Sequence, residues 1–177
     1  MSTTPRVSSA IPGQPANFGT GLAHQPVLAA RFSELYGTFW SKGILEHRTK
    51  EVARMRNARI TDCGFCKRVR FSAAREEGLT EDLVAMIEND WESSALTERD
   101  KAALTVADAI IGDPRRLPEE ARARIRREFS EAEVVELALG VSLFLGLAKV
   151  LITLGMEPEQ METTIVPTPG SQVAVAA

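Results

Sequence analysis

The sequence predicts an all-α helical bundle. Between about residue 20 and residue 160, large apolar side chains recur at spacings of three and four, the period of a helix with one buried face. Two well-formed capping boxes, Thr97–Asp100 and Ser130–Glu133, mark helix starts. No stretch alternates apolar and polar residues as a half-buried strand does. A chain of 177 residues is long enough to bury a core of this kind.

Residues 1–20 are rich in Ser, Thr, Pro and Gly and read as a flexible arm, 21–160 as the folded domain, and 161–177 as a second tail. In the domain, Pro26 suits a first helical position, and Leu28, Phe32, Leu35 and Phe39 follow on one face until Gly43 interrupts. A second helix is predicted from Leu45 toward Ile60. Thr61 or Asp62 would cap a third, carrying both cysteines and stopping near Gly78. Thr80 opens a short fourth helix with Leu83, Val84 and Ile87, and Thr97 a fifth that ends near Gly112. Pro118 starts a short basic helix whose Arg122–Arg127 cluster alternates with glutamates, as a solvated face does.

Ser130 opens the most apolar helix, uncharged from Leu137 to Ala148. That run falls short of the ~20 residues a membrane span needs. A core helix is the reading, with Gly140, Ser142 and Gly146 admitting close neighbours and another subunit supplying part of the cover.

Composition excludes several classes. Apolar residues are 44% and charged residues 25%, with a net charge of −3, which exerts no pull toward nucleic acid or an anionic membrane. No secretory leader, phosphate-binding glycine loop or dinucleotide fingerprint is visible. A cytoplasmic protein without cofactor is the expectation. Trp40, Phe39 and Tyr36 read as core or pocket wall.

The two cysteines of the chain stand together, Cys63-Gly64-Phe65-Cys66. On a helical turn, residues three apart face the same way, within reach of a disulfide. With Asp62 as N-cap, both thiols would lie at the positive end of a helix, with Lys67 and Arg70 four residues further on, and each influence favours a thiolate. Two buried, inert cysteines are the bland alternative. Zinc is disfavoured, since only His24 and His47 are available as further nitrogen ligands. A thioredoxin fold is disfavoured because no strand precedes the motif.

Glu51 stands twelve residues before Cys63. The string from Glu51 to Cys66, followed by Ser72–Thr80, resembles the carboxymuconolactone decarboxylase superfamily, and most closely its AhpD-like alkyl hydroperoxidase branch. Leu96–Ala102 and Phe129–Leu137 extend the resemblance, which runs from about Leu22 to Met156. It implies a helical bundle oligomerising through its helices, as a homotrimer or hexamer. It implies thiol-dependent reduction of a peroxide, with an external dithiol as reductant. Cys66 would be the attacking thiolate, Cys63 its resolving partner and Glu51 the proton acceptor.

The sequence departs from the family pattern four residues beyond Cys66, where Arg70 replaces a histidine. Arginine holds its proton, so Arg70 is assigned to charge stabilisation and slow turnover is expected. His47, four residues before Glu51, is a second candidate for the missing group, though a solvated histidine is the simpler reading. The alternatives are a carboxymuconolactone-type decarboxylase, whose chemistry does not use a cysteine pair, and a non-enzymatic oligomeric redox sensor.

Overall fold

The computed structural model describes residues 4–158 and 160–171. Its helices are α1 (Phe18–Leu22), α2 (Pro26–Lys42), α3 (His47–Ile60), α4 (Ser72–Glu76), α5 (Glu81–Ala85), α6 (Glu98–Ile111), α7 (Glu119–Glu128) and α8 (Glu131–Thr153). Two short strands, β1 (Val69–Phe71) and β2 (Thr164–Val166), pair in parallel with Arg70 opposite Ile165. The predicted capping boxes at Thr97 and Ser130 are both formed. α3 lies at the centre against α6 and α8, and α7 covers α6. The core between them includes Val52, Met55, Leu104, Leu137 and Val141, all essentially inaccessible.

α3 is a polar sequence in a buried place. Every residue from Thr49 to Ala58 is buried, among them Lys50, Glu51, Arg54 and Arg56. Burying charges is tolerable only when they are paired. Lys50 meets Glu136 at 3.0 Å and donates to the Phe39 carbonyl at 2.7 Å. Arg56 grips Asp108 through two nitrogens, at 2.6 and 3.0 Å. Arg48 does the same to Asp100, at 3.1 and 2.6 Å. These pairs fix α3 in azimuth and register, because a slipped helix would strand each charge in hydrocarbon.

Two glycines mark close approaches. At Gly43, which ends α2, a Cβ would lie 1.8 Å from a Glu136 carboxylate oxygen. At Gly140 it would lie 2.4 Å from the Phe39 ring. Gly140 therefore admits a neighbour as expected, whereas Gly146 and Ser142 face outward. Taken whole, α8 is long and apolar enough to cross a membrane, and a third of its most apolar stretch is buried. Val135, Leu139 and Val150 on its outer side are exposed.

The structure corrects three expectations. No helix runs from Thr61 to Gly78; that segment is a turn, then β1, then the short α4. The tail after residue 161 is anchored at several points. Besides β2, the Thr168 hydroxyl accepts from the Ala73 N–H at 3.1 Å, and Ser41 donates to the Pro169 carbonyl at 2.5 Å. The described part of the N-terminal arm is also packed. Arg6 N–H donates to the Leu154 carbonyl at 2.9 Å, and Asn17 caps α1 with a full capping box. The last expected tail residues, 172–177, lie outside the described residues.

Candidate functional site

The site begins where α3 ends. Thr61 closes the helix, with its hydroxyl donating to the Asn57 carbonyl at 2.7 Å. Asp62 then turns left-handed at φ 53°. Its N–H reaches the Arg59 carbonyl and the Cys63 N–H reaches the Ala58 carbonyl, both at 3.1 Å. These paired bonds form a Schellman motif, and Asp is one of the few residues with a side chain to visit that conformation readily. The cysteines thus follow the C-terminal end of α3, where the helix dipole is negative, and not the N-terminal end that an Asp62 cap would have provided. Asp62 was legible as a helix boundary, but of the opposite kind.

Beyond Cys63 the chain makes one further turn, with Lys67 N–H on the Cys63 carbonyl and Arg68 N–H on the Phe65 carbonyl, each at 3.0 Å. That turn brings the two free thiols together, Sγ to Sγ at 2.7 Å, and the Cys66 N–H points at the Cys63 sulfur at 3.3 Å. The hydrogen bond between the sulfurs lowers the first ionisation of the pair below the ordinary thiol value. The same bond, together with burial, raises the second far above it. The contact between the sulfurs thus favours losing one proton from the pair and opposes losing two.

Arg54 organises the surroundings. Its guanidinium is buried and grips both carboxylate oxygens of Glu51, at 2.7 and 2.6 Å. It also donates to the carbonyls of Cys66 at 2.8 Å and Val69 at 2.6 Å. A continuous helix would have used those two carbonyls for its own ladder, so their capture by Arg54 explains why the chain leaves helical geometry here. Arg54 also sets a positive charge near Cys66, the influence that opposes burial of its thiolate. Removing one partner of such a buried pair costs about 3–5 kcal/mol.

The expected residues divide accordingly. Cys63 and Cys66 are adjacent. Glu51 is 1% exposed and connects to Cys66 by way of Arg54, while also accepting from the Phe71 N–H at 3.4 Å. Arg70, assigned to the cysteine face on helical spacing, lies in β1 instead. Its guanidinium pairs with Glu81 at 3.1 Å and donates to the Lys67 and Val69 carbonyls at 2.8 and 2.9 Å. Lys67 pairs with Asp62. His47 sits at the start of α3 against Glu77, at 2.8 Å.

Sequence reasoning missed Arg54, Asn57 and Glu157, whereas Tyr36, read as core or pocket wall, does line the pocket over Cys66. Glu157 is buried and accepts from the Gly64 N–H at 2.5 Å, beside Cys63. A small pocket of about 40 Å³ opens on Cys66 between Tyr36, Asn57, Phe65, Phe71 and Phe144. Burial raises the Tyr36 phenol well above its ordinary value, so it stays protonated. Asn57 is 1% exposed, and its side-chain oxygen has no hydrogen-bond partner among the described residues. An unpaired buried acceptor costs about 1–3 kcal/mol. Among the described residues, no three His, Cys, Asp or Glu side chains gather as a metal site would require.

Residues 25–109 match the model of the carboxymuconolactone decarboxylase family. An uncharacterized protein of Mycobacterium tuberculosis is 34% identical over 114 residues, covering 64% of this chain and 40% of that protein. The chain therefore spans well under half of that relative's length. YdfG of Bacillus subtilis, also uncharacterized, is 28% identical over 108 residues, 60% of this chain and 74% of YdfG. Among solved structures, a protein of unknown function from Agrobacterium tumefaciens superposes with a TM-score of 0.67 at 23% identity, over 79% of this chain and 96% of that one. A peroxidase-related protein from Ralstonia eutropha, described as an alkylhydroperoxidase AhpD core, gives 0.68 at 18% identity, over 84% and 80%. At these identities the likeness is one of fold.

Proposed function

Residues 25–109 belong to the carboxymuconolactone decarboxylase family, and on that premise we propose that the chain is a thiol-dependent peroxidase working through Cys66 and Cys63. One observation carries the reading: the sulfurs lie 2.7 Å apart, with Cys66 lining a pocket that also holds Arg54. The partner thiolate supplies the base that the altered histidine position lacks. As Cys66 attacks the O–O bond, its proton crosses the short S–S gap to Cys63. The bond electrons leave on the departing oxygen, which takes a proton to become an alcohol or water. Cys66 is now a sulfenic acid. The Cys63 sulfur attacks it, the disulfide forms, and the hydroxyl departs as water with the Cys63 proton. An external dithiol returns the pair to its reduced state by exchange.

Glu51 acts in this scheme by holding Arg54, since both its oxygens are engaged by that guanidinium. Its service as proton acceptor would require breaking that pair. Arg70 acts at one remove, holding the Lys67 and Val69 carbonyls around the turn.

Thiol counting tests the proposal. The reduced protein, given one equivalent of peroxide, is expected to lose two thiols, and Cys66→Ser is expected to lose none. Repeated turnover with excess dithiothreitol and peroxide distinguishes a catalyst from a one-shot redox sensor. Loss of thiols without turnover would favour the sensor; no loss at all would sink the thiol mechanism.

A further inference from the structure

We propose that the pocket over Cys66 is the peroxide-binding site and that it is built for hydrogen peroxide, not for hydroperoxides with bulky organic groups. The proposal deepens the peroxidase reading and rests on it. Size is the first argument. One enclosed water needs ~10–15 Å³, so a pocket of about 40 Å³ has room for a few water-sized atoms. Hydrogen peroxide fits that space and a cumyl group does not.

Polarity is the second argument. Asn57 lines this pocket, and its side-chain oxygen is buried and lacks a partner among the described residues. It calls for a ligand that donates a hydrogen bond. The remaining walls include Arg54 and the rings of Phe65, Phe71 and Phe144. Phe65 also lines a larger cleft of about 560 Å³, walled by Phe18, Met156 and Met161. Its ring therefore stands between a pocket for a very small substrate and a space for a large one.

In the site, one O–H of hydrogen peroxide donates to Asn57 while the oxygen nearer Cys66 receives the sulfur. The O–O bond breaks, sulfur is oxidised to sulfenic acid and peroxide is reduced. The distal oxygen leaves as hydroxide and takes a proton from the Tyr36 hydroxyl, which recovers one from solvent. With the resolving step, two thiols and one hydrogen peroxide give one disulfide and two waters.

The test is a stopped-flow series with reduced wild-type protein and hydrogen peroxide, tert-butyl hydroperoxide or cumene hydroperoxide. Rates are normalised to those of free dithiothreitol with the same oxidants. Hydrogen peroxide is expected to react at least tenfold faster than cumene hydroperoxide. Asn57→Leu should slow hydrogen peroxide about tenfold while leaving iodoacetamide alkylation of the pair unchanged. Phe65→Ala, at a half-buried position, should join pocket to cleft and raise the cumene rate. Equal or faster reaction of wild type with cumene hydroperoxide overturns the size argument while the peroxidase reading stands. An unaltered hydrogen peroxide rate in a folded Asn57→Leu protein overturns the polar contact. No thiol loss with any oxidant overturns the peroxidase reading itself.

Discussion

The two sulfurs lie 2.7 Å apart, close enough for each to bias the other's ionisation, and stability should report it. The Cys63 site, with its ionisation lowered, contributes stability that is present above the unfolded thiol value and is lost as pH falls through its folded value. The Cys66 site, with its ionisation raised, contributes stability that is present below the unfolded thiol value and is lost as pH rises. The unfolded value is about 8.5 for both. The urea stability of the reduced wild type, minus that of a Cys63→Ala, Cys66→Ala double variant, should therefore peak near pH 8.5 across a series from about pH 6 to about pH 10. A flat difference would show that the sulfurs do not share a proton. At this scale the cysteine pair and Glu51 were legible, because spacing along one chain carries them. Asn57 and Glu157 were not, since the end of α3 and the segment after α8 meet only in three dimensions. Arg54 stands three residues from Glu51, yet local sequence does not set it apart from Lys50 and Arg56 beside it. Nothing in a polar helix announces that it lies at the centre of the fold.

The helices themselves were largely readable. Proline at Pro26 and the capping boxes at Thr97 and Ser130 are local signals, and the structure places helix starts at all three. The strands were not, because three residues are too few to show a period, and each strand exists only by pairing with a partner distant in sequence. Thr164 N–H donates to the Arg68 carbonyl at 2.8 Å, so β2 holds the far end of the cysteine turn. Thr164→Pro is a clean probe, since this side chain is exposed and the substitution removes the N–H that reaches Arg68. It should lower the unfolding free energy on the order of 1–3 kcal/mol. Iodoacetamide should also reach the cysteines faster as the turn loosens. Unchanged alkylation would mean that β2 does not brace the site.

Across the whole molecule, the main unmet demand is apolar surface. Val135 and Leu139, four apart on α8, are 60% and 62% exposed, and Val27, Leu28 and Leu35 of α2 are exposed as well. Large apolar side chains exposed one turn apart on a helix, as Val135 and Leu139 are, suit an interaction face. We expect a second copy of the chain to cover the α8 face. Light scattering should then give a mass that is a multiple of the chain's, and Leu139→Glu should shift it toward the single chain; a monomeric wild type would refute the expectation. The parallel pairing of β1 with β2 has a consequence for biogenesis. Arg70 cannot meet Ile165 until both have left the ribosome. Until then a nascent chain carries its two thiols on an unbraced loop, open to any passing oxidant or disulfide. Translation rate past the cysteines, and the reducing power around the polysome, thus become part of what this protein needs to mature intact.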